Sequence, residues 1–383
     1  MSYAQACQLV VSTPVVPASA VASGTAAGTP EERVLYAGVD VAKASFTVAV
    51  YGGAPGREES RLLGEFANTA AGRQKCSRQV QRLQQAGGYT HLHLVCESTG
   101  SYEEALVELA FALGWRVTHV NAGQVRQWAN GMGRRVKTDA EDAQLLARFG
   151  AASRVHAELP VPEDAAELDD LVQRQRDLKQ LLQAEQNRRT VARLRRRHAP
   201  AALASLERNI EHLQQELAAI EQAIADFHRR SAPFNTQGKL LQTVGGVGPK
   251  VANTLLVLFH YFHARTAGTG NAKQLTAFVG LDPCPYQSGT SVAKPAAISR
   301  MGDAPARAAL FMAALSAATR TIRNDSPVRQ FYLALINRGK PKMVALIACA
   351  RKILVWAWAV FTSGQPFDPA RARPKPSLAP IAA

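Results

Sequence analysis

Apolar positions along this chain change their period twice, and each change predicts a different kind of structure. Residues 36–40 and 45–51 are short apolar runs separated by a tight turn, which predicts an antiparallel pair of strands, and 61–66 predicts a third. Helical spacing at 69–86 and 102–113 alternates with strand-like runs at 91–97 and 115–120. Further helical stretches follow at 123–130 and 138–149. Three antiparallel strands followed by helix-linked parallel strands predict a mixed α/β sheet of the ribonuclease-H type over residues 34–160.

The period then becomes helical throughout. Leu203, Leu206, Ile210, Leu213, Leu217, Ile220, Ile224 and Phe227 recur in steps of three and four, the spacing of a coiled-coil seam. A helix over 163–197, folded back at a turn near 198–200, predicts a helical coiled-coil hairpin spanning 161–232. Residues 233–365 predict a third, mostly helical unit. Residues 1–33, rich in Ala, Ser, Thr, Val and Pro, are expected to be a disordered extension, and 366–383 a flexible tail.

Charge narrows the function. A net charge of +15 over 383 residues predicts a polyanionic partner, most simply nucleic acid. The excess is local as well: from Lys294 to Lys375 there are fourteen basic residues against Asp303, Asp325 and Asp368. The first hairpin helix ends in Arg188, Arg189, Arg193, Arg195, Arg196 and Arg197, with no compensating acids expected nearby, so this cluster is a candidate nucleic-acid contact. Five scattered cysteines without a CxxC pair argue against a zinc site or a disulfide framework and fit a reducing compartment. No uninterrupted apolar run reaches the roughly 18 residues of a membrane span, because Arg351 and Lys352 break the longest one, 343–361. The first thirty residues lack the Lys and Arg of a signal peptide.

Four carboxylates carry the candidate chemistry. Asp40 and Glu97 each end an apolar run, and Asp139 and Asp142 lie three apart at the start of a helix, hence on one helical face. Such a set of hard oxygen donors suits Mg²⁺ and phosphodiester cleavage. Glu141 points away from both helical acids and reads as surface, while Lys137 and Thr138 start or cap the helix. Residues 244–252, which include Gly246, Gly248 and Lys250, resemble the turn of a helix-hairpin-helix, where backbone N–H groups and a lysine can meet a DNA phosphate. Residues 280–291 read as a polar, turn-rich loop containing Ser288 and Ser291. On its own chemistry a loop serine is a turn former, and neither serine stands out as a nucleophile.

Taken in order, GVDVAK at 38–43, ESTGSY at 97–102, KTDAEDAQLLA at 137–147, GGVGPKVA at 245–252, AFVGLDPCPYQSGTSV at 277–292, ISRMG at 298–302 and GQPFD at 364–368 resemble the transposases of the insertion-sequence family numbered one hundred and ten. The resemblance covers about residues 34–370. It implies a RuvC-like nuclease domain, a coiled-coil domain and a transposase domain. It maps the DEDD acids, the Mg²⁺ ligands, onto Asp40, Glu97, Asp139 and Asp142, and a nucleophilic serine onto Ser288. It further implies a bridge RNA that pairs with target and donor DNA, and dimers that assemble into a tetramer whose composite sites join acids of one subunit to the serine of another. A bacterial cytoplasmic, nucleoid-associated location follows from such a role, with no membrane partner. Lys294 and Arg300 are candidate phosphate contacts near the serine, although Asp303 adds a negative charge there. Two other readings stay open: a metal-dependent DNA junction nuclease that uses water, and a nucleic-acid-binding protein that no longer cleaves.

Overall fold

The computed structural model describes residues 32–53, 56, 58–98, 100–134, 138–195, 199–288, 292–319 and 326–372. β1 (Val34–Val41) lies at the centre of a five-stranded sheet. It pairs antiparallel with β2 (Ser45–Gly52), which in turn pairs antiparallel with the edge strand β3 (Glu59–Ala67). On its other side β1 runs parallel to β4 (His91–Glu97), and β4 parallel to β5 (Arg116–Val120). This is the mixed, ribonuclease-H-like order that the apolar runs predict. Both faces are covered, which is why the central runs are apolar with little polar alternation. Helices α1 (Ala70–Gly87) and α2 (Glu104–Ala112) bury Leu35, Ala37, Val39, Leu92 and Leu94 on one face. Helices α3 (Ala122–Gly131) and α4 (Asp139–Ala152) pack Val125, Ala129, Leu145 and Leu146 around Val95 on the other.

Helices α5 (Glu163–Leu194) and α6 (Pro200–Arg230) form a long antiparallel hairpin. Its cross-links pair high numbers with low: Ser231 donates to Asp164 at 2.5 Å, Gln175 to Glu221 at 3.1 Å and Arg193 to Glu207 at 2.7 Å. Ile210, Leu213, Ile224 and Phe227 of the apolar stripe are buried, while Leu203, Leu206, Leu217 and Ile220 are half-buried. The basic cluster is not uncompensated, contrary to the expectation from sequence. Arg188 pairs with Glu185 one turn back, and Arg193 with Glu207 of the facing helix. Arg195 is described and exposed, and Arg196 and Arg197 lie outside the described residues.

The base of the hairpin shares a core with the third unit. Ala165, Leu168 and Val172 of α5 pack with Leu255, Phe259 and Phe262 of α8 (Pro249–Arg265) and Ile353, Leu354 and Trp358 of α12 (Lys342–Ser363). Between and around them lie α7 (Ala232–Leu241), α9 (Ala272–Val279), α10 (Ala304–Thr319) and α11 (Pro327–Asn337). Helix α12 is long and apolar enough to cross a membrane by length and composition, which the interrupted run did not predict. Arg351 and Lys352 sit on its exposed side, and Cys349, Ala350, Ile353, Leu354 and Ala357 are buried in the core. The tail expected to be loose begins instead with packed residues. The Phe367 ring packs at a tilt against Trp356, centroids 5.2 Å apart, and its N–H donates to Thr243 Oγ1 at 2.8 Å, ahead of the short α13 (Pro369–Ala372).

Two histidines are held neutral inside the fold, His93 fully buried and His260 half-buried. His93 hydrogen-bonds Thr118 at 2.8 Å and His260 bonds Gln237 at 3.0 Å, and burial lowers the pKa of each to about 4. In the unfolded chain both titrate near 6.5. As pH falls from 6.5 toward 4, the unfolded chain therefore takes up protons that the native state refuses, so stability present above 6.5 is progressively lost. The full effect is on the order of 3 kcal/mol per histidine. The midpoint of thermal unfolding should fall by several degrees between pH 7.5 and pH 5, and less in a His93→Gln, His260→Gln double variant; a flat profile in the parent protein contradicts this.

Candidate active site at the carboxyl ends of the strands

One glycine explains how the carboxylates meet. A Cβ on Gly38 of β1 would stand 2.1 Å from Ala143 O and 2.3 Å from Ala147 N, so only glycine lets the α4 backbone lie directly on the strand. At the other end of the helix, a Cβ on Gly150 would meet Val95 Cγ2 at 2.6 Å and Tyr36 Cδ1 at 3.1 Å. Helix α4 thus runs antiparallel to β1, which brings its first turn to the carboxyl end of that strand. Thr138 caps that turn, accepting from the Glu141 N–H at 3.2 Å, and Asp139, Glu141 and Asp142 occupy it, where the helix dipole favours negative charge.

The strands supply the other two acids. β1 and β4 are in a register that pairs Val39 with Cys96, so the next residues, Asp40 and Glu97, lie side by side. They share the parity of Gly38 and Val95 and so the α4 face of the sheet. Asp40, Glu97 and Asp142 line one cavity of about 320 Å³, together with Arg126, Val125 and Leu145. Asp139 is exposed and does not line it. Glu141 turns away and pairs with Arg134 at 3.1 Å. Among the described residues no three acids, histidines or cysteines stand close enough together to hold a metal ion. The donor chemistry and the shared cavity still fit a divalent cation. Within it Arg126 donates to Asp142 Oδ1 at 3.2 Å.

Arg126 carries no motif and was not singled out from sequence. Nor was the ion cluster that ties the third unit to the sheet. Arg265 of α8 donates to both oxygens of the buried Glu158 at 3.0 Å, and Glu158 also bonds His119 Nδ1 at 2.9 Å. A second guanidinium nitrogen of Arg265 reaches Ser98 Oγ at 3.3 Å, the residue after Glu97. These partners lie far apart in sequence, and no spacing signals them.

The serine segment is a hairpin, where sequence predicted a loop. β6 (Pro283–Ser288) pairs antiparallel with β7 (Val292–Ile298), with an irregularity between Cys284 and Tyr286 where Pro285 has no N–H to give. Ser288 is the last residue of β6 and Lys294 lies in β7; their side chains, and Ser291, lie outside the described residues. The base of the hairpin is tightly tied. Ser299 donates to Asp282, and a Cβ on Gly302 would collide with Phe278 O at 2.0 Å. Arg300 is exposed with φ 56°, and Asp303 caps α10 by accepting from the Ala306 N–H at 2.8 Å. Among the described residues, the carboxylate cavity is lined only from the sheet and from α3 and α4.

The glycine turn before α8 has a packing role. Gly246 has φ 92°, and a Cβ there would stand 2.5 Å from Ala313 O of α10. Gly248 borders open space, and α8 starts without a side-chain cap. Lys250 donates to Glu221 Oε1 at 2.9 Å, a contact that raises its pKa. Lys137 lies outside the described residues.

The Gly38 contact makes its own prediction. Gly38→Ala must push α4 off β1 and separate Asp142 from Asp40. Overpacking of this kind costs about 1–3 kcal/mol or more, so both thermal stability and metal-dependent DNA cleavage should drop. Gly131→Ala, where a Cβ meets nothing within 4 Å, serves as the control. Parent-like stability and cleavage in Gly38→Ala would contradict the close approach.

Comparison with known proteins agrees on one family. Residues 37–196 match the model for DEDD transposases of the IS110 kind, described as "Transposase". Residues 238–333 match the model described as "Transposase IS116/IS110/IS902 family". The chain is 30% identical over 280 residues to the pilin gene-inverting protein of Moraxella lacunata, covering 72% of this chain and 82% of that protein. The pilin gene-inverting protein of Moraxella bovis matches to the same extent.

Proposed function

The chain belongs to the IS116/IS110/IS902 transposase family and is a DNA recombinase, and we propose that it exchanges strands through a serine nucleophile, Ser288, assisted by a carboxylate site. Asp40, Glu97, Asp139 and Asp142 would hold Mg²⁺, which when bound supplies charge neutralisation at the scissile phosphate. The observation that carries this reading is the convergence of Asp40, Glu97 and Asp142 on one cavity within the DEDD-matched segment.

Ser288 Oγ attacks phosphorus, one P–O bond to deoxyribose breaks, and the departing oxygen takes the proton that the serine gives up. The phosphoserine ester keeps the bond energy for rejoining, which suits a relative named for inverting a gene. Arg300 and Lys294 would neutralise phosphate charge beside it. Arg195, Arg196, Arg197 and the turn with Gly246, Gly248 and Lys250 would hold backbone phosphates and so position the nucleic acid without reading sequence.

The acids lie in the sheet unit and the serine in the third unit, and the two halves meet across subunits, in dimers that assemble to a tetramer through the coiled-coil hairpin. Sequence choice comes from a bridge RNA paired with target and donor DNA, in the bacterial cytoplasm at the nucleoid. Strand exchange between two labelled duplexes, with the flanking non-coding RNA and Mg²⁺, tests the reading. Recombinant junctions should require both RNA and metal.

One observation favours a second reading: Asp40, Glu97 and Asp142 meet in one cavity, a set that a water-using junction nuclease can use without a serine. Free ends without a protein adduct would support it. Loss of all cleavage would leave a binding protein.

A further inference from the structure

A larger cavity, about 1230 Å³, opens at the opposite end of the same sheet face, between the start of β1 and β5 and the end of α4. We propose that it binds an unpaired nucleotide segment, with bases against Tyr36 and Trp128 and phosphates at Arg148 and Arg154. The size exceeds the roughly 300–1,000 Å³ of ordinary small-ligand pockets and leaves room for more than one nucleotide.

The two rings are braced platforms. Tyr36 stacks on His93 with centroids 5.4 Å apart, and Trp128 packs edge-on against Phe149 at 5.6 Å. Both remain half-buried and line the opening. A base can lie on such a ring only when it has left its own stack, so the ligand is single-stranded.

The cations are placed at a cost that their side chains explain. Arg148 Nε is buried, and among the described residues it has no hydrogen-bond acceptor. A phosphate oxygen would supply one. Arg154 has φ 45°, just past the end of α4, where glycine is the favoured residue. Arg116 already pairs with Glu32 at 2.5 Å, and Glu58 offsets one of the remaining cations, so Arg33, Arg148 and Arg154 together leave the cavity net positive.

The proposal draws on the function above only for the source of the nucleotide. Full-length protein would be titrated against fluorescein-labelled adenine hexamers, as RNA, as DNA and as the DNA duplex. Single strands should bind at least tenfold more tightly than the duplex. Tighter RNA binding identifies RNA as the source, and tighter DNA binding identifies displaced DNA.

Arg148→Gln should weaken hexamer binding tenfold or more. Arg154→Gly should weaken it while holding or raising thermal stability, because it relieves the left-handed backbone. Hexamer binding within twofold of the parent in both variants, or equal binding of duplex, overturns the proposal. Cleavage is not read, so an inactive parent that binds through Arg148 upholds the pocket, and an active one that ignores Arg148 does not.

Discussion

Asp142→Asn should abolish Mg²⁺-dependent strand cleavage, lowering its rate at least ~10²-fold, and leave the protein folded. The amide keeps the shape of the carboxylate and removes its charge. Two stabilising contacts are lost with that charge, and both are small. Asp142 sits in the first turn of α4, where an acid contributes about 0.3–1 kcal/mol against the helix dipole. Its ion pair with Arg126 is partly exposed on both sides, a class worth about 0–1 kcal/mol. Thermal unfolding should therefore move by only a few degrees. The same asymmetry is expected for Asp40→Asn, whose strand core residues stay in place. Circular dichroism with a cleavage assay on one preparation separates the two effects, and parent-like cleavage by Asp142→Asn would remove this residue from the site.

Ser288→Ala should lose recombination altogether while binding DNA as the parent does. An alcohol is a weak nucleophile at neutral pH and needs a base or a metal to act. No histidine lies in the Ser288-Gly289-Thr290-Ser291 stretch, which favours help from metal held by the carboxylates. Those carboxylates sit in the sheet unit and the serine in the third unit, so the two halves must meet by docking or across subunits. Mixing Ser288→Ala with Asp142→Asn protein should then restore a measurable fraction of strand exchange, because some assembled sites pair an intact serine with intact acids. Complementation is the informative outcome, since neither variant recovers alone. Its absence in co-assembled mixtures would place both halves within one chain.

How far the chain could be read in advance follows from where its signals are local. Asp40 and Glu97 were visible because each ends an apolar run, and strands in neighbouring register bring such ends together. The helix start at Asp139 and Asp142 was visible because helical spacing is a local rule, and Thr138 does cap it, but only Asp142 of the pair lines the cavity. The serine hairpin was not visible because Pro283, Pro285 and Pro295 all argue against strands. Its stability comes from its partner and from Asp282 and Ser299 at its base, which are seventeen residues apart. The basic cluster was misjudged because Glu207 approaches Arg193 only when the helices fold back on each other. Arg126, Arg265 and the Arg148 cavity were missed for the same reason: a single arginine in a helix has no pattern until tertiary packing gives it a neighbour.

The serine assignment at the centre of the proposed mechanism is open to direct chemical test. A suicide duplex whose cut strand diffuses away should leave the parent protein covalently attached to DNA, in the presence of Mg²⁺ and the guiding RNA. Nuclease digestion, proteolysis and mass spectrometry would then locate the attachment. The predicted result is one nucleotidyl-phosphoserine at Ser288, absent from Ser288→Ala and from Asp142→Asn. Attachment at Ser291, or cleavage by the parent protein with no attached DNA, would contradict it.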